Sequence, residues 1–418
     1  MPSPLSPIAA EMDSLLTEKI LPFWLERGVD GAYGGYLTCI GENGLVDAGA
    51  DKMIVTQTRM LWGFSSLRCF ASNTACEEKM AAAAHQGYDF LMKYFWDCEH
   101  GGLNWMTARD GRLLDGGKLL YAQSFGIYAL CAYYLAYGRA EALTYAEKIF
   151  DLMQVYAADT ANGGYLENLE ADWSPAGPGW CAGDRKSLDI HMHLMESFTL
   201  LYKATSKEIH RRKLAEVIDL ILRHMVDPAG YGRNQFDLQW GVLPAINIRR
   251  TWNAERESNE TIAAPTDTTS YGHNVELSWL LRLAYDTLGG PGDAPILRKL
   301  LDHSLRYGYD YEYGGVYRDG VGESPALVTD KEWWQNFECL VGYLNGYLRY
   351  GDERYFDAFA GTWAFIKQHF LVEGLGESRQ LLRRDGTPVV AAIGNPWKGI
   401  YHTGRALAEC VMRIRASA

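Results

Sequence analysis

The chain has 418 residues, with 48% hydrophobic and 22% charged side chains, the balance of a packed globular protein. Its net charge of −12, with acidic residues spread along the length, excludes the basic stripe that a nucleic-acid groove needs. No stretch reaches the apolar length of a membrane span and no basic segment followed by an apolar core occupies residues 1–10; the eight cysteines, scattered without a CxxC spacing, read as reduced thiols of a cytoplasmic protein.

A loop recurs along the chain. Tyr33-Gly34-Gly35-Tyr36, His100-Gly101-Gly102-Leu103, Asn162-Gly163-Gly164-Tyr165 and Tyr313-Gly314-Gly315-Val316 share one shape, and Ala229-Gly230-Tyr231-Gly232 and Glu373-Gly374-Leu375-Gly376 are weaker copies. Six copies at intervals of roughly 60–80 residues mark a repeated unit, and paired glycines suit a tight turn. Between the loops the pattern is helical. Residues 123–137 are apolar on nearly every face, and 188–203, 273–285 and 338–350 look alike, whereas 207–225 carry charge on one side and an aliphatic stripe on the other. Each interval therefore holds one buried and one amphipathic helix. Six such hairpins predict an all-α (α/α)6 barrel, a single domain over 1–418, in preference to an open solenoid.

Candidate chemistry sits near the starts of the buried helices. Arg59 and Trp62 share a face of an early inner helix, where a buried arginine needs an anionic partner or a developing oxyanion, and Tyr121-Ala122-Gln123 opens the next. In Asp189-Ile190-His191-Met192-His193-Leu194-Met195-Glu196, the spacing places Asp189, His193 and Glu196 on one face; His191 and His193, two apart, point in different directions and make a poor metal pair. His273 and Glu276 are three apart on a largely apolar helix, which suits either a general acid/base with its carboxylate or a buried structural pair. Trp333, Trp334 and Glu338 follow, then a Pro/Gly loop with Trp397, Tyr401 and His402; the tryptophans either pack the core or stack on a sugar. The 13 Trp and 26 Tyr allow both uses. In an (α/α)6 barrel these sets converge at one mouth, as a sugar pocket requires.

The order Lys52…Arg59-x-x-Trp62, Tyr121-Ala122-Gln123, Asp189-x-His191-x-His193-x-x-Glu196, Gly272-His273-x-x-Glu276, Lys331-x-Trp333-Trp334-x-x-x-Glu338 and Trp397-Lys398-x-x-Tyr401-His402 resembles the N-acylglucosamine 2-epimerase/cellobiose 2-epimerase family over nearly the whole chain, leaning toward the cellobiose branch. The resemblance implies inversion at C2 of a reducing sugar with neither cofactor nor metal. It puts the catalytic histidines at His273 and His402, with His193, Arg59, Glu276 and Glu338 in support, and substrate contacts at Tyr121, Asp189, Trp334, Glu338 and Trp397. The implied partner is a small mono- or disaccharide, the protein a monomer or homodimer. A monosaccharide glucose–mannose epimerase, an aldose–ketose isomerase and, further off, an (α/α)6 glycoside hydrolase are the alternatives. Asp189 stands where Asn is expected, Asn274 where Asp is, and Gln335-Asn336-Phe337 replaces a Pro-Gln-Ala-like stretch; these departures bear on substrate more than on reaction.

Overall fold

A computed structural model describes residues 4–250, 267–291 and 294–417, so both ends of the 1–418 range fall outside the described residues. Six helical pairs follow one another. Helices α1 (Leu5–Leu15) and α2 (Leu21–Arg27) are continuous through a π turn; α3 (Ile54–Ser66) pairs with α4 (Thr74–Phe90), α5 (Leu120–Tyr137) with α6 (Ala140–Leu152), and α7 (Leu188–Thr205) with α8 (Glu208–Leu220). Then come α9 (Tyr271–Leu288) with α10 (Pro295–Tyr307), α11 (Trp333–Tyr350) with α12 (Glu353–Phe365), and α13 (Tyr401–Ser417), which packs back on α1. The inner helices α3, α5, α7, α9, α11 and α13 touch in that order, and α13 returns to α3. That closed ring is an (α/α)6 barrel and decides against the open solenoid.

Helix ends follow local chemistry. Ser187 and Ser270 cap α7 and α9 by accepting backbone N–H bonds, and α5, α9 and α11 stop at Gly138, Gly289 and Gly351 in left-handed conformation. The inner helices begin earlier than hydropathy predicts: Tyr271 and Trp333 open α9 and α11 because a short strand, Thr269–Ser270 or Lys331–Glu332, leads straight into each. These strands, and Lys52–Met53 before α3, pair antiparallel with segments of neighbouring loops (Lys52 opposite Thr107, Ser270 opposite Asp319, Lys331 opposite Leu382) and form the rim of the mouth. No described helix is long and apolar enough to cross a membrane. All eight cysteines are free thiols.

The recurring loop has a physical purpose. The outer helices α4, α6, α8 and α12 end in a π turn, and an aspartate four residues before the first glycine opens the loops after α2, α4, α6 and α10: Asp30, Asp97, Asp159 and Asp310. A buried lysine from the rim strand reaches each aspartate, Lys52 at 2.9 Å, Lys118 at 2.8 Å, Lys186 at 2.8 Å and Lys331 at 3.0 Å. From the inner helix a polar side chain meets the backbone N–H after the glycines: Gln57 accepts from Tyr36, Gln123 from Leu103, His191 from Tyr165 and Asn336 from Val316. At Gly35 and Gly315 that side chain approaches so closely that a Cβ would lie 2.7 Å from Gln57 Oε1 or 2.6 Å from Asn336 Oδ1, and both glycines have φ of about +70°. The weaker copies keep part of the device. Asn274 accepts from Gly232 at 2.8 Å, while in the last loop buried Glu377 binds Trp24 at 2.7 Å and Lys398 at 3.2 Å, tying the last unit to the first.

Asp310 also takes Arg384, so replacing it by Asn should strand the fully buried Lys331 and cost about 3–5 kcal/mol in urea unfolding. Burial opposes ionisation of Asp310, but Arg384 and Lys331 prevail and hold its pKa at about 2. Because the folded value is depressed, this stabilisation is present above the unfolded carboxylate value of ~3.9 and lost as pH falls toward about 2. The Asp310→Asn deficit should therefore shrink over that acid interval.

Candidate active site

The starts of the inner helices enclose a cavity of about 200 Å³ at the rim of the barrel. His193 from α7, His273 from α9 and His402 from α13 line it together with Arg59, Tyr121, Asp189, Glu276, Trp334 and Trp397. His273 and His402 stand on helices separated by α11, whose Trp334 ring lies 4.5 Å from the first imidazole and 5.8 Å from the second. They therefore address the cavity from two directions. The Trp334 indole is fixed by donating to Glu332 at 2.6 Å.

Arg59 meets no described carboxylate in an ion pair. It donates to the Tyr121 hydroxyl at 2.7 Å and the Trp397 carbonyl at 2.8 Å, and it lies over the rings of Phe125 and Tyr401. Such a cation is set to receive an oxyanion, and Tyr121 and Trp397 position it. Asp189 lies between two imidazoles, 3.4 Å from His193 Nε2 and 3.5 Å from His273 Nε2. Nδ1 of His193 binds Glu196 at 2.9 Å. Burial opposes charging of His193, but the Asp189 and Glu196 carboxylates outweigh it and lift its pKa to about 9, so it is an imidazolium at neutral pH.

His402 is the electrostatic opposite. Burial first, then the positive charge of Arg59, Arg405, His193 and His273, pushes its pKa well below the usual histidine value. Its Nδ1 binds Glu338 at 2.7 Å, leaving Nε2 for the cavity.

One expectation needs correction. Glu276 lines the cavity but does not back His273; its carboxylate goes to Arg405 at 2.5 Å. The reason is Arg405, one turn beyond His402 on α13, which offers a fully buried guanidinium that three carboxylates converge on. Glu338, placed by the resemblance among both the histidine supports and the substrate contacts, is buried behind His402 and bound to Arg405 at 2.6 Å. Arg405 also binds Glu196 and the Tyr401 hydroxyl. It was not among the sequence candidates, since an arginine in a terminal amphipathic helix looks solvent-facing. His191 and His193 do diverge: His191 turns to Ser187 and Glu167, away from the cavity. Of the three departures from the family pattern, only Asp189 reaches the cavity; Asn274 and Asn336 clamp loops, and Gln335 donates to Ser270.

Among the described residues, Glu276, Glu338 and His402 are the set whose donor atoms come close enough to surround a cation. Arg405 already bridges both carboxylates, so the guanidinium supplies the positive charge there. One further element lines the cavity. The segment before α9 places Ala245, Ile246, Asn247 and Ile248 against it, and Arg250 reaches across to Asp115 at 2.7 and 3.0 Å.

Comparison with known proteins points the same way. A family model for N-acylglucosamine 2-epimerase matches residues 35–406. A cellobiose 2-epimerase of Bacteroides fragilis is 30% identical over 414 residues, covering 96% of this chain and 97% of that protein. The structure of a cellobiose 2-epimerase from Spirochaeta thermophila superposes with a TM-score of 0.86 at 29% identity, covering 99% of each chain. A D-mannose isomerase shares the fold, with a TM-score of 0.83 at 19% identity over 99% of this chain and 100% of that one.

Proposed function

The chain belongs to the N-acylglucosamine 2-epimerase family and is a carbohydrate epimerase, and from that premise we propose that it inverts C2 of a reducing aldose, interconverting glucose and mannose configurations at the end of a cellobiose- or mannobiose-type sugar. One observation carries the reading: two histidines from non-adjacent inner helices face one cavity that also holds an arginine with no described carboxylate partner. After ring opening, one histidine removes the C2 proton and the other returns a proton to the opposite face. The enediolate oxygen between these steps meets Arg59 and the His193 imidazolium, both cationic at neutral pH. Removal of a stabilising charge at such a site costs about 10²–10³ in kcat, and Arg59→Gln should fall in that range in steady-state kinetics. The ring of inner helices supports taking 1–418 as one catalytic domain.

A hydrolase would need two carboxylates flanking a glycosidic bond, whereas Glu338 is buried behind His402 and Glu276 is held by Arg405. A second reading, on free mannose and glucose, is favoured by Arg250, which anchors the segment at Ile246 and Ile248 over the cavity. Proton NMR in heavy water with cellobiose, mannobiose and free mannose tests both. The C2 epimer with deuterium at C2 is the expected product. Deuterium at C1 of a ketose would replace epimerisation by isomerisation, and shorter sugars would replace both by hydrolysis.

A further inference from the structure

Behind His402 lies a group that the two-histidine scheme does not use. Glu338 is fully buried on α11, and its Oε1 binds His402 Nδ1 at 2.7 Å and Arg405 at 2.6 Å. Its Oε2 has no hydrogen-bond partner among the described residues, and neither has Oε2 of Glu276, whose carboxyl lies nearby on α9. The Arg405 guanidinium and the His193 imidazolium thus face three buried carboxyls, Glu196, Glu276 and Glu338, and a proton held on one of the three balances the charge. We infer that Glu338 is a second proton carrier of the reaction, storing behind His402 the proton that His402 delivers to, or takes from, the substrate carbon.

The inference rests on the epimerase reading and adds to it a route for the proton. When His402 acts as base, Nε2 accepts the C2 proton, the C–H electron pair stays on the enediolate, and the Nδ1 proton passes to the Glu338 carboxylate. When it acts as acid, Nε2 gives its proton to C2 while the Glu338 carboxyl returns one to Nδ1. The imidazole is neutral before and after, changing only its tautomer. The surroundings favour this. Arg59 on α3, His193 on α7, His273 on α9 and Arg405 all oppose a positive charge on His402. Around Glu338, burial and the Glu276 and Glu196 carboxylates oppose a negative charge, against Arg405 from α13, and lift its pKa to about 8. The buried thiols Cys339 and Cys410 beside it are themselves held neutral. Glu338 is thus a positioning residue that also carries the proton, acting through His402.

Glu338→Gln keeps the shape and the hydrogen bond but cannot carry the proton. In wild type, kcat/KM should fall as pH rises through about 8, equally in both directions because epimerisation releases no proton. In E338Q, kcat should drop by about 10²–10⁴ and the basic limb should move to lower pH, since His402 must then become charged itself. A folded E338Q with an unmoved limb would overturn the inference. Difference infrared spectroscopy gives a readout without substrate: a protonated-carboxyl band that disappears near pH 8 in wild type and is missing from E338Q. Should E338Q not fold, Glu276→Gln replaces it, because loss of the neighbouring negative charge must lower the midpoint of that band. Absence of the band in wild type, or a midpoint unmoved in E276Q, counts against Glu338. Failure to form any epimer with the band present would instead count against the epimerase reading alone.

Discussion

His402→Asn should lower kcat for epimerisation by about 10²–10⁴, with far-UV circular dichroism and the unfolding midpoint unchanged. Asparagine keeps a polar donor near Glu338, so the buried carboxyl behind the ring is not stranded. The informative measurement is exchange at C2 in heavy water. With His402 gone, His273 still faces the cavity beside Asp189 and can remove and return a proton on its own side. Wash-in of deuterium should therefore persist for one epimer and vanish for the other, and His273→Asn should show the reverse preference. This follows from the geometry, because the two imidazoles come from helices with α11 between them and Trp334 of that helix packs against both rings. Exchange from both epimers in a single variant would mean that one histidine serves both faces, and the two-sided scheme would fall.

The barrel is legible in the sequence because its signals are local. Paired glycines repeat where an inner-helix side chain crowds the backbone, and the inner helices are apolar on nearly every face since both sides are buried. The histidines are legible for a similar reason: residues three and four apart on α7 place Asp189, His193 and Glu196 on one face, and the structure keeps that triad. Partner choice across the ring is not local. That Glu276 turns from His273 to Arg405 depends on α13 closing against α9, α11 and α7 at once, a contact across 129 residues that no spacing encodes. The loop aspartates had a readable signal in Asp-x-x-x-Gly-Gly, at Asp30, Asp97, Asp159 and Asp310, and attention to the glycines alone missed it. Lys331 and Lys52, part of the family pattern, hold those aspartates.

Arg405→Met should be the most destabilising single change in the site, by about 3–5 kcal/mol in urea unfolding. Methionine fills much of the volume, so packing under the Trp279 and Tyr401 rings survives while the charge does not. What remains is the Glu196 and Glu276 carboxylates and the Glu338 carboxyl, buried without their common cation. Arg405→Lys should recover part of the loss, because a single ammonium cannot present the forked donors that reach three carboxylates from three helices. The pH dependence separates charge from packing. Burial opposes ionisation of Glu196, but Arg405 and His193 hold its pKa at about 2. A depressed folded value means that its stabilisation is present above the unfolded glutamate value of ~4.3 and lost as pH falls toward about 2. The gap between wild type and Arg405→Met should therefore narrow through that acid interval, whereas a packing defect would leave it constant. Activity should fall with stability for a connected reason: the carboxylates that Arg405 gathers orient both His193 and His402, so releasing them frees the two imidazoles that the cavity needs fixed.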